Sequence, residues 1–570
     1  MTKNPTRRVH FVNRRAPYFH CDGETKRSSE ITIPLFPFSP VTSITINHGC
    51  SKRLAAVEIL QAHKQSTLFR NAESSATYTS APIRPYRTKY VLSTYQLTTN
   101  ISNIGHRFRA NVEKVPEKEL FVFDHQNIRK TYAEVYQDAR TLAGALLDLG
   151  LRPGDRVGMW GPNNYEWLVG WFAAAIAGFI QVNINAFYRT NELVHTLRKA
   201  EVRALIAPSK CGDRLDYYQL LQELLPHSSS TQLGIGHVES ETVPDLRHLI
   251  IYGENEPLRG AWRYEDLLAG AGTKAEGLLR DVEDHVQSDD PAYIFYTSGT
   301  TGLPKAATVT HRAVVNGCEV LGRRSHYVTG NHRLCLPIPL HHVLCSVAGA
   351  TMMALNGQTA VFPSESFDVQ KTLEVIAKEK CTAIYGSPTI YVDMMRQLPS
   401  MKGLDISSLH KGYIAGSPVP KSLALRVVNE LDMPDLHILY GATETSTAIA
   451  ISNPLESIDT RFHHVGEVMD HLEILLVDGK GKAVPRGTQG ELLVRGYLVM
   501  RGYYGENNNE HHPFGPNRWY RTGDIAIMNE NGTINIIDRV KDMIIRGGVN
   551  IYPSEIEQFL AKIDGIADAY

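Results

Sequence analysis

Short apolar runs alternate with helix-period stretches through most of this chain, and that rhythm limits the fold more than any other feature. The runs are Arg156–Trp160, Ala204–Ala207, His248–Tyr252, Ala292–Phe295, Arg333–Pro337 and Ala383–Tyr385. Apolar segments this short read as buried strands, and helices between them imply an α/β architecture with largely parallel sheets. Thr131-Tyr132-Ala133-Glu134 has the spacing of a capping box. Behind it Val135, Ala139, Leu142, Ala143, Leu146 and Leu147 fall on one helical face, and Gly150 can end that helix. The longest apolar run, Trp167 to Ile180, is too short to span a bilayer and reads as a buried helix leading to a strand around Val182. From Leu472 the pattern turns to strand-like alternation, with turns at Asp478-Gly479 and Asn531-Gly532. This predicts a more β-rich subdomain, with a hinge near Arg539–Asp542.

A chain of 570 residues has room for several cores, and 43% hydrophobic residues with a net charge of −1 give no basis for nucleic-acid binding or wholesale disorder. The cysteines (Cys21, Cys50, Cys211, Cys318, Cys335, Cys345, Cys381) are odd in number and form no C-x-x-C pair, which indicates free thiols in a reducing compartment. Residues 1–21 carry Lys3, Arg7, Arg8, Arg14 and Arg15 and no acid, the composition of a mitochondrial transit peptide or of a basic tail. Ser, Thr, Pro and basic residues persist to about residue 88, so 1–88 is expected to be a transit peptide and a poorly ordered extension. Globular patterning begins near Lys89.

Directly after the apolar run Ala292–Phe295 comes Tyr296-Thr297-Ser298-Gly299-Thr300-Thr301-Gly302-Leu303-Pro304-Lys305. Such a loop can wrap a polyphosphate: glycines let backbone N–H groups approach and turn inward, hydroxyls donate more hydrogen bonds, and a lysine adds a point charge. A Walker loop requires Gly-Lys followed at once by Ser or Thr, whereas Lys305 lies between Pro304 and Ala306. Tyr440-Gly441-Ala442-Thr443-Glu444 follows the apolar run Leu436–Leu439 and offers an aromatic face, a hydroxyl and a carboxylate at a strand end. A purine can stack on Tyr440, and Glu444 can hold a Mg²⁺ that bridges phosphates. In Tyr520-Arg521-Thr522-Gly523-Asp524 the last carboxylate has two acceptor oxygens for a ribose diol. Asp538-Arg539-Val540-Lys541-Asp542 then precedes a glycine turn at Gly547-Gly548.

In order and spacing these runs resemble the adenylate-forming superfamily, which includes acyl-CoA synthetases, luciferase-like enzymes and nonribosomal adenylation domains. The resemblance covers roughly residues 90–570. It is closest to the mitochondrial medium-chain acyl-CoA synthetase group, on Gly158-Met159-Trp160-Gly161-Pro162-Asn163, Pro339-Leu340-His341-His342, Ser346-Val347-Ala348-Gly349, Ile414-Ala415-Gly416-Ser417-Pro418 and Lys541–Gly548. It implies a large multi-subdomain adenylation domain at 89–540 and the start of a small α+β C-terminal domain at 541–570. It also implies a two-step reaction. A fatty acid carboxylate attacks the α-phosphorus of ATP to give acyl-AMP and pyrophosphate, and the thiol of CoA then displaces AMP. By this resemblance Thr297, Ser298, Gly299, Thr300, Thr301, Gly302 and Lys305 hold the β and γ phosphates. Gly416 and Ser417 line the adenine pocket, and Tyr440 and Gly441 lie against the base. Thr443 contacts the α-phosphate and the acyl carboxylate, Glu444 binds Mg²⁺, and Asp524 and Arg539 bind ribose. Lys541 marks the interdomain hinge, Gly547 and Gly548 border the pantetheine tunnel, and His342 lines the acyl site.

The chain departs from the family pattern at several places. His341 stands where an aromatic is usual, and Cys345 and Ala306 stand where glycine is usual. The added methyl of Ala306 is expected to crowd the backbone. A zinc site at Cys335, His341, His342 and Cys345 fits loosely in spacing and lacks the C-x-x-C or H-x-x-H arrangement. The family's C-terminal segment with its catalytic lysine has no counterpart before Tyr570. Two expectations follow: an AMP-forming medium-chain acyl-CoA ligase of the mitochondrial matrix, or a nucleotide- or acyl-adenylate-binding protein with little turnover.

Overall fold

Thr131 begins its helix as its spacing predicts. The hydroxyl accepts from Glu134 N–H at 3.2 Å, and Glu134 Oε2 accepts from Thr131 N–H at 2.8 Å. The helix runs Tyr132–Asp148 and buries Val135, Ala139, Leu142, Ala143, Leu146 and Leu147. It ends at Asp148, two residues before Gly150, whose φ of +101° suits glycine. In this computed structural model the described residues are 90–92, 101–212, 214–225, 232–297, 304–506, 513–542, 544–546 and 549–551, with backbone alone at 90–92, 544–546 and 549–551. The expected transit peptide and extension at 1–88, and Ser298, Gly299, Thr300, Thr301, Gly302, Gly547 and Gly548, lie outside them.

Among the described residues, two large sheets carry the parallel strands. One has eight strands, and its centre runs His248–Tyr252, Val202–Pro208, Arg156–Trp160, Ile180–Ile184 and Pro291–Thr297, all parallel. The other has nine, with Asp435–Tyr440, Lys411–Ile414, Ala383–Gly386, Arg333–Cys335, Thr359–Phe362 and Glu119–Phe123 in parallel succession. Arg156–Trp160, Ile180–Ile184 and His248–Tyr252 are buried at every position. That explains runs that are apolar throughout rather than alternating. The Trp167 run is the helix Tyr165–Ala177; Gly178, at φ +73°, stops it, and Ile180 already belongs to the next strand. Trp171 on that helix stacks on Tyr293, with 3.4 Å between ring centroids, and donates to Thr351 Oγ1 at 2.9 Å. Each such fully buried large side chain contributes roughly 1.5–3 kcal/mol. No described helix is long and apolar enough to cross a membrane.

The β-rich part expected from Leu472 is a five-stranded antiparallel sheet of Leu472–Val477, Gln489–Gly496, Tyr520–Met528 and Ile534–Arg539, edged by Tyr90–Leu92. Gly532, at φ +88°, makes the tight return between its last two strands. Cys211, Cys318, Cys335, Cys345 and Cys381 are free and buried, and Cys335 shares a hydrogen bond with Cys381. Among the described residues no three His, Cys, Asp or Glu side chains gather as a metal site. Ala306 is fully buried in the core against the eight-stranded sheet, and its carbonyl accepts from Tyr504 N–H at 2.7 Å.

Candidate active site

Parallel strands leave their connecting loops on one side of a sheet, and ligands of open α/β sheets bind at the carboxyl ends. In the nine-stranded sheet three predicted loops share that side. Pro339–His342 follows Arg333–Cys335, Gly416-Ser417 follows Lys411–Ile414, and Gly441–Glu444 follows Asp435–Tyr440. Gly416 has φ +91°, and both Gly416 and Ser417 are exposed. Gly441 is required for a different reason: a Cβ there would lie 2.7 Å from Thr447 O. Thr443 is half-buried and opens a single 3-10 turn, Thr443–Thr445, that swings the Glu444 side chain inward, where it is only 9% exposed.

Two groups of side chains meet around this turn. Tyr440 donates its hydroxyl to Asp524 Oδ2 at 2.5 Å, and Arg539 Nε lies 3.3 Å from Asp524 Oδ1. Asp524 and Arg539 face each other across paired antiparallel strands. Burial raises the Asp524 pKa above its ordinary value, opposed by the hydrogen bond from Tyr440 and the charge of Arg539. Burial, and then the Asp524 charge, push Tyr440 well up, so the phenol keeps its proton and donates. In the second group Tyr503 donates to Glu444 Oε1 at 2.7 Å, and Lys305 Nζ sits 5.1 Å from the Tyr503 ring centroid. Tyr520 hydrogen-bonds Tyr503 in turn. The short segments Tyr440–Glu444 and Tyr520–Asp524 each run from one group to the other, and Glu444, Tyr520 and Asp524 are buried.

Thr297 and Lys305 are cross-strand partners, so the phosphate-loop candidate is closed at its base by an antiparallel pair. His195 Nε2 lies 3.2 Å from Pro304 O and ties the end of that loop to the helix Thr190–Lys199. His341 and His342 have ring centroids 4.7 Å apart, and His342 is the more exposed. Burial, with His342 beside it, pushes His341 down to about 3, so its ring is neutral at physiological pH. Asn163 holds their loop: its amide donates to Ile338 O at 2.9 Å, and its Oδ1 accepts from Leu340 N–H at 2.7 Å. At the hinge candidate, Val540 N–H donates to Gly523 O at 2.8 Å and Lys541 is exposed.

A family model described as AMP-binding enzyme matches residues 108–504. The chain belongs to the AMP-binding enzyme family. It is 40% identical over 486 residues to the mitochondrial medium-chain acyl-CoA ligase ACSF2 of Danio rerio, covering 85% of this chain and 79% of that one. The human protein of the same name is 37% identical, with 88% and 81% covered. Among solved structures, the anthranilate CoA ligase AuaEII in complex with anthranoyl-AMP superposes with a TM-score of 0.70 at 22% identity, covering 83% of this chain and 84% of that one. ATP-bound MatB from Rhodopseudomonas palustris gives 0.67 at 22%, with 82% and 85% covered. This AMP-binding enzyme therefore has the α/β adenylate-forming fold.

Two site residues escaped the reading of the sequence. Tyr503 lies in Arg501-Gly502-Tyr503-Tyr504, where a glycine-tyrosine pair between strands reads as an ordinary turn. Its link to Glu444 spans 59 residues and leaves no local pattern. Asn163 was visible only as part of a resembling run; its two hydrogen bonds cross 175 and 177 residues. Mg²⁺ suits the residues present, because Glu444 presents a hard, ionisable oxygen donor in a buried turn beside hydroxyls.

Proposed function

We propose that this AMP-binding enzyme is an AMP-forming acyl-CoA ligase that activates a medium-chain fatty acid through its acyl-adenylate in the mitochondrial matrix. The observation that carries the reading is two polar groups, Tyr440 with Asp524 and Arg539, and Glu444 with Tyr503 and Lys305, joined through the short run Tyr440–Glu444. Together they offer a ring for a base, a carboxylate for a diol, a cation for phosphate and an anion for a metal. The relatives' names supply the substrate class and the compartment.

In the proposed reaction a carboxylate oxygen of the acid bonds to the α-phosphorus as the bond to pyrophosphate breaks. The CoA sulfur then bonds to the acyl carbon, and AMP leaves with the bridging oxygen. Gly416, Ser417 and Gly441 border the adenine, which stacks on Tyr440. Asp524 accepts from the ribose hydroxyls as the Tyr440 hydroxyl yields its place, and Arg539 keeps the carboxylate ionised. Thr443 donates to the α-phosphate, while Lys305 with Thr297–Gly302 neutralises the departing pyrophosphate. Glu444 would hold Mg²⁺, which withdraws phosphate charge when bound. His342 lines the entry of the acyl carboxylate. Lys541 is the pivot between the adenylation domain at 89–540 and the residues after it, and Gly547 and Gly548 border the path of CoA. Catalysis of this kind works by positioning and charge stabilisation, with no covalent protein nucleophile.

ATP–pyrophosphate exchange measured across straight-chain acids tests the reading. Exchange that depends on acid and peaks near octanoate is expected. ATP binding without exchange for any acid would leave a nucleotide-binding protein and overturn the ligase reading.

A further inference from the structure

Among the described residues, Tyr503 is placed as if built for the phosphate end of this site. Its backbone segment is stitched to both elements it serves. Met500 N–H donates to Glu444 O at 2.8 Å, and Ser446 Oγ donates to Leu498 O at 2.9 Å, which fixes the segment against the Glu444 turn. On the other side Arg501 N–H donates to Thr308 O at 2.8 Å and Tyr504 N–H to Ala306 O at 2.7 Å, which fixes it against the Lys305 strand. Gly502 and Tyr503 pair with Thr308 and Ala307 as an added antiparallel strand. The Tyr503 ring therefore stands between Lys305 and Glu444, with its face toward the ammonium and its hydroxyl on one carboxylate oxygen.

We propose that Tyr503 is a positioning residue for metal-bound ATP: its hydroxyl pins Glu444 by Oε1 so that Oε2 faces the metal, and its ring holds Lys305 toward the phosphates. Without the hydroxyl, the Glu444 carboxylate rotates about its last bond and presents no fixed oxygen. Without the ring, the Lys305 ammonium loses the quadrupole that holds it over Tyr503. The proposal rests on Glu444 as the Mg²⁺ ligand and adds the residue that aims it.

The test is calorimetric ATP binding to the full chain, with Mg²⁺ and again in EDTA. Losing a hydrogen bond to a charged group should weaken Mg·ATP binding by Tyr503→Phe about tenfold. Binding in EDTA should stay within about twofold, because the ring and Lys305 remain. Tyr503→Leu should also weaken binding in EDTA. Tyr520→Phe, which leaves Tyr503 in place and removes its outer partner, should shift Mg·ATP binding in the same direction by less. Adding Tyr503→Phe to Glu444→Gln should cost nothing more. Equal losses with and without Mg²⁺ for Tyr503→Phe, or additive losses in the double variant, overturn the proposal. If Glu444→Gln abolishes the Mg²⁺ effect while Tyr503→Phe leaves it intact, this proposal alone falls. If Glu444→Gln leaves the Mg²⁺ effect intact, the assignment of Glu444 falls and takes the proposal with it.

Discussion

Replacing Asn163 by alanine should damage use of the fatty acid and spare ATP. Asn163 is 2% exposed and spends both ends of its amide on the loop that carries His341 and His342, at 2.9 Å to Ile338 O and 2.7 Å from Leu340 N. Truncation leaves one buried acceptor and one buried donor unpaired, and each costs about 1–3 kcal/mol when nothing replaces the partner. Water entry and loop movement recover part of this, so about 1.4–3 kcal/mol should appear in function, a ten- to hundredfold loss in kcat/KM for octanoate. The Asn163 backbone bond to Glu365 O survives the change, so the strand end itself stays in place. Asn163→Asp keeps an acceptor for Leu340 and sets an anionic oxygen against the Ile338 carbonyl, so it should be no better than alanine. The assay is exchange kinetics against octanoate at saturating ATP, beside calorimetric ATP affinity. An octanoate effect under about fivefold, or an equal loss of ATP affinity, would refute the reasoning, since about 1 kcal/mol is the least one orphaned group should cost.

Other consequences follow from the same geometry. Asp524 must be ionised to accept a ribose diol, and burial raises its pKa, so ATP affinity should fall with acid from a higher pH than an ordinary aspartate implies. Asp524→Asn should flatten that acid limb, and 2′,3′-dideoxy-ATP should bind the native chain without it. His311 is fully buried, its Nδ1 accepts from Ile104 N–H at 3.3 Å, its Nε2 has no partner, and its pKa is held near 3 by burial. The unfolded chain takes up that proton near pH 6.5 and the folded chain does not, so stability should fall as pH drops below 6.5, by about 2 kcal/mol at pH 5. His311→Asn should show a smaller loss of thermal midpoint between pH 7 and pH 5; an unchanged loss would move the effect elsewhere. A reporter fused to residues 1–90 should enter mitochondria, and a cytosolic reporter would refute the targeting reading.

Elements whose cause is local were legible in the sequence. The Thr131 capping box, the helix stop at Gly150 and the buried strands of each sheet announce themselves within a few residues. The Trp167 run was legible as to burial and less so as to length, because Gly178 divides one apolar stretch between a helix and a strand. The runs Tyr440–Glu444 and Tyr520–Asp524 were visible as polar clusters, the first at a strand end and the second, read as a turn, in fact the start of the strand Tyr520–Met528. Their union was not: Tyr440 reaches Asp524 over 84 residues. Likewise, nothing in Tyr90–Leu92 forecasts that it edges a sheet begun at Leu472, since strand pairing at such range is settled by tertiary packing.

The central claim is that a carboxylate oxygen attacks the α-phosphorus of ATP at this site. Octanoate labelled with ¹⁸O in its carboxylate, incubated with the protein, ATP, Mg²⁺ and CoA, tests it directly by mass spectrometry of the products. One ¹⁸O should appear in each AMP formed, with octanoyl-CoA in equal amount and pyrophosphate unlabelled. Label in inorganic phosphate with release of ADP, or AMP formed without label, would contradict the account.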